Sequence, residues 1–289
     1  MYKILFLGLD LLAKLPFGLL YALSDLFFYL LYYVIGYRKK VVRENLTNSF
    51  PQKTSAEIDQ IMKEFYHHFC DLVIESIKSV GMTADDFNAR YKVTNIEVLL
   101  AYSRKNISVI LLSSHHSNWE WVCFLPSLIV DYFKVFAIYK PLTNQAFDEY
   151  VKRTRQKHTA TLIPMKDTFR TVLTYAPQQT ILTWMAADQT PSKEAGHWVQ
   201  FLNQDTPFFA GYDKLARQMN QAVLFLDIVK IKRGHYELTL TPLCDNPQDV
   251  EPYYIVEQFA AQTEKQIQKQ PAYWLWSHRR WKHKRETRS

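Results

Sequence analysis

Residues 107–121 read ISVILLSSHHSNWEW. The first eight, Ile107 to Ser114, are a short, β-rich apolar run, as expected of a strand buried in a sheet. Past the polar residues the periodicity changes, and Trp119 to Ile129 reads as helical. A strand that hands over to a helix through a short polar loop is the unit of an α/β sheet, where active residues sit at strand ends. The loop between the two, Ser114 to Asn118, is therefore where chemistry is sought.

Outward from this unit the alternation continues. Phe133 to Tyr139, Thr159 to Met165 and Thr180 to Ala187 are further strand-like runs, with helical stretches at Asn144 to Gln156 and Asp167 to Tyr175. Ala222 to Ile231 and His235 to Pro242 flank Arg233-Gly234 and predict an antiparallel hairpin. Before the sheet, Ser55 to Val80 carries Ile58, Ile61, Phe65, Phe69, Leu72, Val73, Ile77 and Val80 at helical spacing, and after it Pro252 to Gln268 is a polar-faced helix. The reading is one α/β domain without internal repeats.

Composition narrows the classes. The chain has 289 residues, 48% hydrophobic, enough for a sizeable core. Only 7 residues are Gly, and neither a Walker nor a dinucleotide-binding glycine pattern occurs. Cys70, Cys123 and Cys244 are far apart, match no zinc spacing and imply buried thiols in a reducing compartment. No carboxylate pair or histidine cluster has metal-ligand spacing, so no metal is expected. The net charge of +7 suits nucleic acid, an anionic membrane or an acidic protein.

Position favours the membrane. Residues 4–36 are strongly apolar, and Leu15 to Gly36 has bilayer-crossing length with Asp25 as its one charge. Arg38, Lys39, Lys40 and Arg43 follow, which places the rest of the chain on the cytoplasmic side. Asp10, Lys14 and Asp25 fit a simple span poorly, and an interfacial anchor is the alternative. The expected organisation is a membrane anchor over 1–36 and a catalytic domain over 37–289. The terminal run from His278 to Arg285, basic with Trp281 interleaved, is read as interface anchoring rather than nucleic-acid binding.

His115 and Glu120 are the sharpest chemical pair. On one continuous helix five steps rotate about 140°, so the two cannot share a face. They can meet if His115 stays on the loop and Glu120 lies in the first helical turn, where the carboxylate would hold one imidazole nitrogen and free the other as a base. Ser117 and Glu120 also fit a capping box, which would leave both histidines as loop residues. Spacing to Glu120 favours His115 over His116.

HHSNWEW, with His115 and Glu120, resembles the His-x4-Asp/Glu motif of glycerolipid and lipid A acyltransferases. Asn118-Trp119-Glu120 is especially similar to the late lauroyl and myristoyl transferases of lipid A. Further blocks follow in order: Tyr139-Lys140-Pro141-Leu142, with Lys where Arg is common; Arg155 upstream of a short strand; Ala187-Asp188-Gln189 at a strand end; Phe201-Leu202 and Thr206 to Phe209; Lys214 to Asn220; and Pro271 to Lys282, which resembles the closing Trp-x-x-Arg-Arg signature.

The resemblance implies a glycerolipid-acyltransferase-like mixed sheet flanked by helices. It implies transfer of an acyl chain from an acyl carrier protein thioester to a hydroxyl of a lipid A precursor at the bacterial inner membrane, with no cofactor. His115 would be the base and Glu120 its orienting partner. Arg155, as a phosphate ligand, and Asp188, Gln189 and Asn118 are the expected substrate-binding residues. The same chemistry on another glycolipid, an aminolipid, a phosphatidylinositol mannoside or a pigment alcohol is the nearest alternative. A non-catalytic membrane-binding relative is the other.

Overall fold

The computed structural model describes residues 2–192 and 195–285. Residues 286–289 of the expected catalytic unit lie outside them. At the N-terminus come α1 (Tyr2–Leu12), α2 (Phe17–Tyr29) with a π-helical extension (Leu30–Ile35), α3 (Lys39–Ser49), α4 (Ser55–Ser79) and α5 (Ala84–Arg90). The sheet then begins with β1 (Tyr91–Val93), α6 (Ile96–Arg104) and β2 (Val109–Ser113), followed by a 3-10 helix (Trp119–Leu128). It continues through β3 (Lys134–Tyr139), α7 (Gln145–Gln156), β4 (Thr161–Pro164), α8 (Thr168–Tyr175) and β5 (Ile181–Ala186). The C-terminal part holds β6 (Gly196–Phe201), β7 (Gln204–Phe209), α9 (Gly211–Met219), β8 (Ala222–Lys232), β9 (His235–Cys244) and α10 (Tyr254–Lys269).

Seven strands form one sheet in the order β1-β9-β8-β2-β5-β3-β4. All pairs are parallel except β8–β9, the hairpin marked by Arg233-Gly234. The sheet is therefore mixed, as expected. β6 and β7 pair separately. Neither they nor β1 was legible in the sequence: β1 has three residues, and β6 and β7 alternate too irregularly to show a face.

Every residue of β2 is buried, because both faces of the sheet are covered. Ile110 and Leu112 join a core with Phe136, Phe225, Phe259 and Trp276, while Val109 and Leu111 join one with Phe87, Leu99, Trp121 and Phe124. Burial of each such side chain contributes about 1.5–3 kcal/mol. The segment after the loop departs from the expected α-helix and is ten residues of 3-10 helix. It contains Pro126, whose missing N–H cannot serve an α-helical ladder.

The 25-residue helix α4 starts at a capping box in which Thr54 and Glu57 satisfy each other's backbone N–H groups. The N-terminal apolar segment breaks at Pro16 into α1 and α2, and α2 packs along α4. In the run from His278 to Arg285, Arg280 is buried and Trp281 packs on the core with its indole donating to Thr206 at 2.7 Å, so these two are not turned to an interface, while Arg279, Lys282, Lys284 and Arg285 are exposed. Upstream, Trp274 and Trp276 are buried, and the backbone from Tyr273 to Leu275 is stitched to residues 115–117. Tryptophan here supplies core area, because the tail crosses the open end of the sheet.

Candidate active site

The site forms where the two central strands end. β2 and β5 are parallel and in register, with Ser113 opposite Ala186. His115 and Asp188 are each two residues further on, so sheet register alone makes them neighbours. Ala187 N–H donates to the Ser113 carbonyl at 2.9 Å and holds the two chain exits together.

His115 Nδ1 lies 2.6 Å from Asp188 Oδ1. The other carboxylate oxygen accepts from the His115 backbone N–H at 3.0 Å and from the Trp274 indole at 2.7 Å. Burial would raise the Asp188 pKa, but the His115 charge and the hydrogen bonds from His115 and Trp274 outweigh it and hold the carboxyl down at about 2. An ionised Asp188 fixes the Nδ1–H tautomer and leaves the lone pair on Nε2. Gln189 Nε2 stands 3.1 Å from that nitrogen. The Asp188 side chain is 2% exposed and that of His115 17%, so the pair is anchored inside and open at the imidazole tip.

Glu120 does not meet His115. Its carboxylate accepts from Arg155 at 2.8 and 3.0 Å and from the Trp119 indole at 3.2 Å, and the Trp119 ring packs 5.3 Å from the His115 ring. The expected His115–Glu120 contact is therefore replaced by His115–Asp188. Arg155, expected as a phosphate ligand, spends one guanidinium nitrogen on Glu120. The capping box at Ser117 is also absent. Ser117 adopts a left-handed conformation with φ 53°, and Asn118 is the cap, accepting from Trp121 N–H at 3.1 Å.

Asn118 is fully buried, and its amide donates to Glu75 at 2.6 Å. It braces the loop from behind. His116 is buried as well. Its Nε2 contacts the Gln270 carbonyl at 3.0 Å, and its Nδ1 lies 3.0 Å from the Ser117 hydroxyl. Both nitrogens of His116 are engaged inside the protein, whereas His115 is the imidazole of the pair whose tip is open to solvent.

The loop is held at every residue. Ser114 Oγ bonds to Gln266, and the His115 carbonyl accepts from Leu275 N–H at 3.1 Å. Ser117 N–H donates to Tyr273 O at 2.9 Å, and its carbonyl accepts from His68 at 3.1 Å. These bonds offset the cost, roughly 1–3 kcal/mol, of a left-handed serine. Buried Glu75 accepts from Asn118, from Tyr236 at 2.7 Å and from Tyr21 at 2.8 Å. Glu75, His68 and Trp274 were missed in the sequence, since only contacts across tens of residues give them roles.

Arg280 is fully buried beside this cluster, donates to Pro207 O at 2.7 Å and stacks over Phe208. Burial pulls its pKa down to about 10. Beneath the 3-10 helix, an apolar crevice is lined by Val122, Leu125, Ile129, Val135 and Leu182, with Cys123 and Trp184. Among the described residues, no group of three or more His, Cys, Asp and Glu is placed to hold a metal ion.

A family model described as bacterial lipid A biosynthesis acyltransferase matches residues 2–283. The chain is 23% identical over 252 residues to the lipid A biosynthesis palmitoleoyltransferase of Escherichia coli (strain K12), covering 85% of this chain and 79% of that protein. The lipid A biosynthesis acyltransferase of Shigella flexneri matches at the same 23% identity and over the same shares of the two chains.

Proposed function

The chain belongs to the bacterial lipid A biosynthesis acyltransferase family, and from that premise we propose that it moves a fatty acyl chain from an acyl carrier protein thioester to a hydroxyl of a lipid A precursor, with His115 as base and Asp188 as its orienting partner. The observation that carries the reading is the 2.6 Å contact between His115 Nδ1 and Asp188, which leaves Nε2 at the exposed tip.

An alcohol is a weak nucleophile, so its proton must leave as its oxygen attacks. Nε2 takes that proton while the oxygen bonds to the thioester carbonyl carbon. The tetrahedral oxyanion then collapses, the C–S bond breaks, and the imidazolium returns its proton to the departing thiolate. Base assistance of this kind contributes about 10²–10⁴-fold. Asp188 stays ionised throughout and stabilises the imidazolium. Before the acceptor arrives, the Gln189 amide donates to Nε2, and the acceptor hydroxyl takes its place. The backbone N–H groups of Trp119 and Glu120, at the start of the 3-10 helix, are the candidate oxyanion donors. The enzyme works at the bacterial inner membrane, on its cytoplasmic side; the apolar Phe17–Ile35 helix and the cations beside it support the membrane placement.

Mass spectrometry of lipid A from cells lacking the gene, rescued with wild type or with His115→Ala, tests the reading. Loss of one acyl chain, restored only by wild type, is the expected outcome. Unchanged lipid A with a deficit in another acylated lipid would move the acceptor, and no lipid change in any strain would overturn the reading.

A further inference from the structure

The Phe17–Ile35 helix is long and apolar enough to cross a bilayer, yet its contacts favour another arrangement. Leu20, Ser24, Phe28 and Tyr32 recur every fourth residue and are buried. Beside that stripe, Tyr21 Oη donates to Glu75 at 2.8 Å, Ser24 Oγ to Asp71 at 2.8 Å, and Arg233 grips Asp25 at 2.6 Å. Two glycines admit the helices closely. A side chain at Gly81 would collide with the Ala13 carbonyl, and one at Gly234 with the Tyr21 hydroxyl. Lys78 Nζ closes the α1–α2 joint by donating to Ala13 O at 3.0 Å and Leu15 O at 2.9 Å.

The opposite face is bare. Leu19, Leu26, Tyr29, Leu30, Tyr33 and Val34 are exposed on α2 and its extension, and Ile4, Leu7 and Leu11 continue the patch on α1. A crossing helix meets lipid all round. Here it would strip Tyr21, Ser24 and Asp25 of their partners, or drag Asp71, Glu75 and Arg233 into hydrocarbon with it. The cations also stand at both ends: Lys14 before α2 and Arg38 and Lys40 after its extension are exposed. A single crossing would place them on opposite sides of the membrane, whereas a helix lying flat brings all of them to one layer of anionic headgroups.

We propose that α1 and α2 lie in the plane of an anionic membrane surface, docked on the catalytic domain by one face and sunk into the headgroup–acyl boundary by the other. The proposal rests on the reading that the enzyme works at a membrane. Through Glu75 the docked face also touches Asn118, so the same helix braces the acyl-transfer loop.

The test uses the full-length protein with vesicles of phosphatidylethanolamine and phosphatidylglycerol. Single cysteines introduced from Leu19→Cys to Val34→Cys are labelled with a fluorophore and quenched by brominated lipids. Quenching that follows the helical period, strong at 19, 26, 30 and 34 and weak at 20, 24 and 28, is expected. Lys14→Cys and Lys40→Cys should both react with an impermeant maleimide added outside the vesicles. A paired Leu26→Glu, Val34→Glu variant should bind vesicles at least about tenfold more weakly with its thermal midpoint kept. Quenching at every position, with one end protected from the maleimide, would show a crossing helix and overturn the proposal while leaving the membrane reading intact. Failure of the wild-type protein to sediment with vesicles would overturn both.

Discussion

His115 Nδ1 and Asp188 Oδ1 stand 2.6 Å apart across 73 positions of chain. The contact follows from the pairing of β2 with β5, and a buried, ionised carboxylate at the end of β5 makes the loop histidine directional. Glu120, nearer in sequence, is occupied by Arg155.

His115→Ala should lower turnover by about 10²–10⁴-fold, the range expected for a lost general base. Asp188→Asn should bring a comparable loss. Glu120→Gln should cost far less, because its carboxylate sits on Arg155 and not on the imidazole. Steady-state acyl transfer by the three variants separates the two carboxylates, and a loss at Glu120 matching that of His115, with Asp188→Asn near wild type, would return the pairing to the sequence-adjacent residue.

Glu120 and Arg155 should behave as a structural pair. Both side chains are 27% exposed, between surface and interior. A double-mutant cycle over Glu120→Gln and Arg155→Met, read by denaturant unfolding, should give a coupling of about 0.5–3 kcal/mol. Zero coupling would leave Arg155 free for the phosphate-binding role.

Trp274→Phe keeps the ring but deletes the indole N–H that donates to Asp188 at 2.7 Å. Loss of a hydrogen bond to a charged group should cost about 1.5–3 kcal/mol. Because that bond helps hold the Asp188 pKa down at about 2, acid unfolding of the variant should begin at higher pH. Paired urea titrations at neutral and acidic pH check both effects.

Acid should loosen the wild-type protein early. His68 and His116 are held below the ordinary imidazole range, chiefly by burial, and His278 is held at about 4. Each is neutral when folded and accepts a proton more readily when unfolded. Their contribution is thus complete above about pH 6.5 and is lost as pH falls through the window below it. For Asp188 the loss comes lower, from about pH 4 downward. Thermal midpoints recorded from pH 8 to 4 should fall on the acid side, and His278→Gln should flatten part of the slope.

Gly234→Ala should destabilise the protein by about 1–3 kcal/mol, since φ is +71° and the new methyl group would meet the Tyr21 hydroxyl. Combining it with Tyr21→Phe should recover the collision but not the backbone strain. Chemical denaturation of the three variants measures the two parts separately.

The sequence by itself determined the layers and the place of the chemistry. Apolar runs of strand length and helices of period 3.6 report which faces are buried, so the α/β order and the loop at His115 were legible from residues a few positions apart. Partner choice was not. Glu120 is five residues from His115 and was the natural candidate, but local spacing cannot say which way a side chain on a 3-10 turn points. Asp188 becomes the partner only when β2 and β5 pair in register, and Trp274 only when the tail folds over the sheet. The apolar N-terminal stretch shows the same division. Its composition announced a lipid-facing helix, while its docking stripe emerged only with Glu75, Asp71 and Arg233 in place, because a polar residue in an apolar run is intelligible once its partner is known.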